Sequence, residues 1–84
     1  MQKSIHTPAY EAFLRLLRQQ REDAGLTQED VADRLGMTQS AVSKCERGER
    51  RLDVIELRLW CAAMGVSFTS FTALMDKTLQ RQRR

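Results

Sequence analysis

The sequence predicts an all-α protein, a compact five-helix bundle, on three observations. Helix formers (Leu, Ala, Glu, Gln, Arg) dominate, while Gly (4) and Pro (1) are few and β-branched runs are absent. Apolar residues recur at three- and four-residue spacing, which gives a helix one apolar stripe. Four of the five segments open on a polar capping residue and close on a glycine. With 84 residues and 42% hydrophobic content the chain can bury one small core. Its 30% charged residues are too regularly interspersed with apolar ones for a disordered chain.

Each element follows from its own punctuation. Thr7 caps the first helix and Pro8 takes the first helical position, where a missing N–H costs nothing. The helix runs to about Ala24 with the stripe Tyr10, Phe13, Leu14, Leu17, and Gly25 stops it. Thr27 caps the second, with Asp30 in the reciprocal position of a capping box. Val31, Ala32 and Leu35 face inward, and Gly36 ends it. Thr38 caps the third, which reaches about Arg47 before Gly48. Asp53 caps the fourth, with Glu56 as its reciprocal partner. Its inner residues are predicted as Ile55 or Leu57, Leu59, Trp60, Ala63 and Met64, before Gly65. Ser67 caps the fifth, carrying Phe68, Phe71, Leu74, Met75 and Leu79, which has no stop signal. The expected division is an N-terminal arm over 1–7, one domain over 8–80 and a basic tail over 81–84.

Net charge is +3, and the sequence pI is about 9.3. That suits a polyanionic partner, but the charge is unevenly placed. Between Thr27 and Arg51 the bases Arg34, Lys44, Arg47, Arg50 and Arg51 are matched, five to five, by Glu29, Asp30, Asp33, Glu46 and Glu49. Much of the excess lies in Arg81–Arg84. Any nucleic-acid face must therefore be sorted in space. No apolar run approaches the about 20 residues of a membrane span, and the first ten residues lack a signal core. A cytoplasmic protein without membrane contact is expected. Cys45 and Cys61 form no metal or redox pattern and read as buried thiols. No metal and no cofactor is expected. With a single histidine (His6), no paired carboxylates in an apolar setting and no nucleophile beside a base, an enzyme is not expected.

The segment 28–47 carries the functional signal. Two helices joined by a short glycine-containing turn, here Leu35-Gly36-Met37-Thr38, make a helix-turn-helix. Ala32 lets the two helices approach, and Val42 returns a β-branched side chain to the core. Gln39, Ser40, Ser43, Lys44 and Arg47 are left on the outer face of the helix over 39–47.

The stretch "LTQEDVADRLGMTQSAVSKCERGERR", with the later "AAMGVS", resembles the lambda-repressor/Cro type helix-turn-helix, the Xre family, over roughly Tyr10 to Met75. The resemblance implies a lambda-repressor-like DNA-binding domain that places helix 39–47 in the major groove. It implies base contacts from Gln39, Ser40, Ser43 and Lys44, with Gln39 suited to adenine and Lys44 to guanine. It implies phosphate contacts from Gln28, Thr38, Arg47, Arg50 and Arg51. It also pairs Glu46 with Arg21 on the first helix, fixing the angle of the recognition helix. Two residues depart from the pattern. Cys45 stands where the family carries a larger apolar residue. Leu52 stands near a usual proline, so a less rigid loop is expected there.

The function this implies is sequence-specific binding of double-stranded DNA: a transcriptional regulator, and in particular a dimeric repressor on a palindromic operator. One recognition helix reads few base pairs, so a homodimer is expected, with the wide apolar surface of Phe68, Phe71, Leu74, Met75 and Leu79 as its interface. The acidic group Glu29, Asp30 and Asp33 offers a contact for RNA polymerase. The alternative is a protein-interaction module, antitoxin-like or anti-repressor-like, that keeps the fold with weak or no DNA binding.

Overall fold

The computed structural model describes residues 7–82, the side chain of Gln82 excepted. It contains five helices and, among the described residues, no strand: α1 Pro8–Asp23, α2 Gln28–Leu35, α3 Gln39–Glu46, α4 Val54–Met64 and α5 Phe68–Gln82. The packing is pairwise. α2 lies on α3, α1 on α5, and α4 touches both α2 and α5.

Local chemistry sets the boundaries. The Thr7 hydroxyl accepts from the Tyr10 N–H at 3.1 Å, and Pro8 opens α1. Thr27 and Asp30 form a reciprocal capping box at α2, as do Asp53 and Glu56 at α4. The turn from α2 to α3 needs a left-handed residue. Gly36 supplies it at φ 69°, and the Met37 N–H then reaches back to the Ala32 carbonyl at 2.9 Å. That turn brings α3 back across α2.

Leu17, Val31, Val42, Cys45, Trp60, Cys61 and Phe71 form the driest part of the core. The Phe71 ring meets Phe13 edge-on at 6.2 Å, which locks α5 to α1. Phe71 is therefore not the subunit-interface residue expected of it: it is 1% exposed within the monomer. Phe68 and Met75 are half-buried against the same core. Leu79 is also half-buried and lines an open groove with Met75, Leu57 and Phe13. Leu74 remains outward, at 41% exposure.

Helix α4 turns Leu57, Trp60 and Met64 inward as predicted but departs from the prediction at other positions. Leu57, Trp60, Cys61 and Met64 are buried, a clean one-face spacing. Leu59 and Ile55 are exposed at 53% and 66%, and Ala63 is only half-buried. The expectation that Leu59 faces inward is wrong because the single face led by Trp60 excludes it. Leu52 is not a loose loop residue either. It is buried, and its N–H donates to the Tyr10 hydroxyl at 3.1 Å, tying the α3–α4 connection to α1.

Candidate nucleic-acid interface

Helix α3 has two distinct faces. Val42, Cys45 and Glu46 point inward, and Gln39, Ser40 and Lys44 are exposed, with Ser43 half-buried beside them. Thr38 caps the helix by accepting from the Ala41 N–H at 3.0 Å, so its oxygen is engaged while its hydroxyl hydrogen stays available. Lys44 has no side-chain partner among the described residues and stands as a solvated cation one turn after Ser40.

Behind this face lies a chain of hydrogen bonds. Arg21 Nε donates to Glu46 Oε2 at 2.6 Å and Arg21 Nη2 to Glu46 Oε1 at 3.1 Å, a two-pronged pair. The side chains are 10% and 3% exposed, respectively. Arg21 Nη1 donates to the Leu26 carbonyl at 2.9 Å. Gln28 Nε2 donates to Glu46 Oε1 at 2.9 Å, and Gln28 Oε1 accepts from Gln39 Nε2 at 2.6 Å. The buried ion pair thus connects, through Gln28, to the first residue of α3. No buried polar side-chain atom among the described residues lacks a partner.

A basic turn follows α3. It closes on Gly48, at φ 81°, where the Glu49 N–H bonds back to the Lys44 carbonyl at 2.9 Å. Each arginine of this turn has an internal partner. Arg47 Nε and Nη2 donate to the Glu49 carboxylate at 2.8 and 3.3 Å, and Arg47 Nη1 donates to Ser43 Oγ. Arg50 Nη2 donates to Glu56 Oε2 at 2.8 Å and Arg50 Nη1 to Cys45 Sγ at 3.4 Å. Arg51 lies over the Tyr10 ring, 4.8 Å from its centroid. The hydrogen bond and charge of Glu49 raise the Arg47 pKa, and the Cys45 hydrogen bond followed by Glu56 raises that of Arg50. Both guanidiniums are cations at any physiological pH.

The acids of α2 are placed differently. Glu29, Asp30 and Asp33 are all exposed. By helical periodicity they lie on the side of α2 opposite Gln28, Val31, Ala32 and Leu35, the side that meets α3. Asp30 is committed to the capping box, and bonds from the Thr27 backbone and hydroxyl hold its carboxyl below the ordinary range. Three of the five acids in this stretch thus lie away from α3, while Glu46 is buried against Arg21 and Glu49 stays on the basic turn beside Arg47.

Sequence reasoning brought Gln39, Ser40, Ser43 and Lys44 to one face. It did not find Gln28 as the link between Glu46 and Gln39. It also missed Glu49 and Glu56 as the partners of Arg47 and Arg50. Those pairs cross a turn at spacings of two and six residues, which no helical spacing brings together.

Comparison with known proteins agrees with this geometry. A family model described as "Helix-turn-helix" matches residues 17–71. The chain is 41% identical over 58 residues to an HTH-type transcriptional regulator, y4dJ, of Sinorhizobium fredii, covering 69% of this chain and 75% of that one. An XRE-family like protein from Pseudomonas syringae pv. tomato superposes with a TM-score of 0.80 at 44% identity, over 87% of this chain and 89% of the other. The restriction-modification controller protein C.Esp1396I, solved as a tetramer on its natural 35 base-pair operator, superposes with a TM-score of 0.79. That match covers 89% of this chain and 99% of the controller, and at 24% identity it establishes the shared fold.

Proposed function

The chain belongs to the helix-turn-helix family of XRE-type transcriptional regulators, and from that premise we propose that it is a dimeric repressor that places α3 in the major groove of a palindromic operator. The observation that carries this reading is the bonded chain from Arg21 through Glu46 and Gln28 to Gln39. A side-chain amide has two N–H hydrogens and a carbonyl oxygen. Gln39 gives one N–H to Gln28, which leaves one donor and one acceptor facing outward. That remaining pair matches the N7 acceptor and N6 donor of adenine. Gln28 likewise keeps one N–H after bonding Glu46, in reach of a backbone phosphate at the start of α2. The readers are thus oriented before DNA arrives, which lowers the ordering cost of binding.

Lys44 offers its ammonium to guanine O6 or N7, Ser40 tolerates either base, and Ser43 donates its hydroxyl hydrogen alongside them. Thr38, Arg47, Arg50 and Arg51 flank that face and meet phosphates, giving affinity and register. The dimer forms through the apolar side chains the fold leaves outside: Val54, Ile55 and Leu59 on α4 and Leu74 on α5. The controller protein's tetrameric assembly on its operator supports reading this class as oligomeric on DNA. Glu29 and Asp33 remain available on the far side of α2 for RNA polymerase, beside Asp30, which the capping box holds.

The test is selection of duplexes from a random pool, followed by titration of the enriched site at several salt concentrations. A two-fold symmetric site, with half-sites about 10 base pairs apart, is expected. Failure to bind any duplex at low salt sinks the proposal and favours a protein-interaction module.

A further inference from the structure

Arg47 and Arg50 flank the reading face as ligands for the DNA backbone, yet in the free chain both are already held by carboxylates. Arg47 presents Nε and Nη2 to the two oxygens of Glu49, the same forked geometry that a guanidinium presents to a phosphate. Its remaining nitrogen is bonded to Ser43. Arg50 gives Nη2 to Glu56. Those N–H bonds are spent on carboxylates, and the forked Nε/Nη2 edge of Arg47 can grip a phosphate in the same two-pronged way only once Glu49 lets go.

Resting on the DNA-binding function proposed for this face, we propose that Glu49 and Glu56 are built-in competitors of the DNA backbone, which occupy the guanidiniums of Arg47 and Arg50 and set how tightly the chain holds any duplex, whatever its sequence. The pairs are suited to exchange. The Arg47 and Glu49 side chains are 54% and 50% exposed, and those of Arg50 and Glu56 are 48% and 30%. Exposed ion pairs of this kind are weak and reversible. A phosphate, carrying the dense field of the duplex, displaces them, and the displaced carboxylate then sits beside DNA as a repulsive charge. Both effects subtract from the sequence-independent part of binding, so the base contacts of Gln39 and Lys44 decide where the protein stays. Glu56 also has a second task. Its Oε1 accepts from the Asp53 N–H at 2.9 Å, so the cap of α4 and the hold on Arg50 share one side chain.

The probe is a random-sequence 30 base-pair duplex at low ionic strength, titrated with the full chain by fluorescence anisotropy. Glu49→Gln and Glu56→Gln remove the charge but keep an amide oxygen, which in Glu56→Gln preserves the α4 cap. Each is expected to tighten binding about 1.4- to five-fold, the range an exposed ion pair spans. In an Arg47→Ala background the gain from Glu49→Gln shrinks to the part owed to bare charge repulsion, and in an Arg50→Ala background so does the gain from Glu56→Gln. Tightening as large in the alanine backgrounds as in the parent is a general charge effect and overturns the proposal. So does unchanged binding in both single variants when their thermal midpoints match the parent. Failure of the parent chain to bind duplex DNA at all overturns the DNA-binding reading itself, a separable result.

Discussion

Replacing Glu46 by alanine tests how the recognition helix is held. The carboxylate accepts three bonds, two from Arg21 and one from Gln28. Its loss leaves the Arg21 guanidinium, 10% exposed at its side chain, with the Leu26 carbonyl as its one remaining partner among the described residues. Breaking a buried ion pair by removing one partner costs about 3–5 kcal/mol. The lower end, about 3 kcal/mol, applies here because a little solvent still reaches Arg21. A domain of this size holds about 4–12 kcal/mol of stability, so the loss is a large share of the whole. For a domain of 60–100 residues each kcal/mol moves the midpoint by about 4–8 °C, so a fall of about 12–24 °C is expected. Circular dichroism at 222 nm during heating, with urea titration to confirm an unchanged slope, measures it. The apolar double variant Arg21→Met/Glu46→Leu should recover most of the loss, because it leaves no unpaired charge. A midpoint within about 5 °C of the parent for Glu46→Ala would refute the reasoning.

Four further outcomes rest on particular residues. In acid, the low Asp30 carboxyl pKa means its capping bond stabilises the fold fully above the ordinary value of 3.8 and is lost as pH falls below that value. Asp30→Asn should therefore be less stable than the parent at pH 7 and converge with it in acid; an equal gap at both pH values contradicts the assignment. Cys45 and Cys61 are fully buried, and burial pushes the Cys61 thiol up, so thiol reagents near neutral pH should label both only after unfolding. Ile55→Ser/Leu59→Ser should weaken self-association in sedimentation while leaving monomer stability nearly unchanged, whereas Phe71→Ala should destabilise the fold by about 3–5 kcal/mol in urea titration.

What was legible in the sequence was whatever has a local cause. Thr7, Thr27, Thr38 and Asp53 mark helix starts by their side-chain oxygens, and the glycines mark stops, so all five helices could be placed within a residue or two. The α2–α3 turn was legible for the same reason. The inner face of α4 was legible at Trp60 and Met64 but not at Leu59, nor in the choice between Ile55 and Leu57. Val54, Ile55, Leu57, Leu59, Trp60 and Met64 make it apolar almost all round, and only packing against α2 and α5 decides which face is inside. On α5, Phe71 could not be told from Leu74 by hydrophobicity, since both are large and apolar and only the Phe13 ring separates their fates. At the candidate site, the family resemblance pointed to the outward residues of α3. The Gln28 link and the carboxylate partners of Arg47 and Arg50 were invisible because they depend on where a turn brings side chains.

The proposed reading has α3 meet bases through Gln39, held from behind by Gln28, and through the solvated Lys44. Binding of the parent, Gln39→Ala, Lys44→Ala and Arg50→Ala to the selected operator and to single-base variants of it, at several salt concentrations, tests that most directly. Gln39→Ala and Lys44→Ala should each flatten the preference at one base pair per half-site, worth about 1–3 kcal/mol, and leave other positions unchanged. Arg50→Ala should weaken every duplex alike and reduce the salt slope by about 1 for each phosphate it no longer neutralises. Full base discrimination retained in Gln39→Ala and Lys44→Ala would contradict the account.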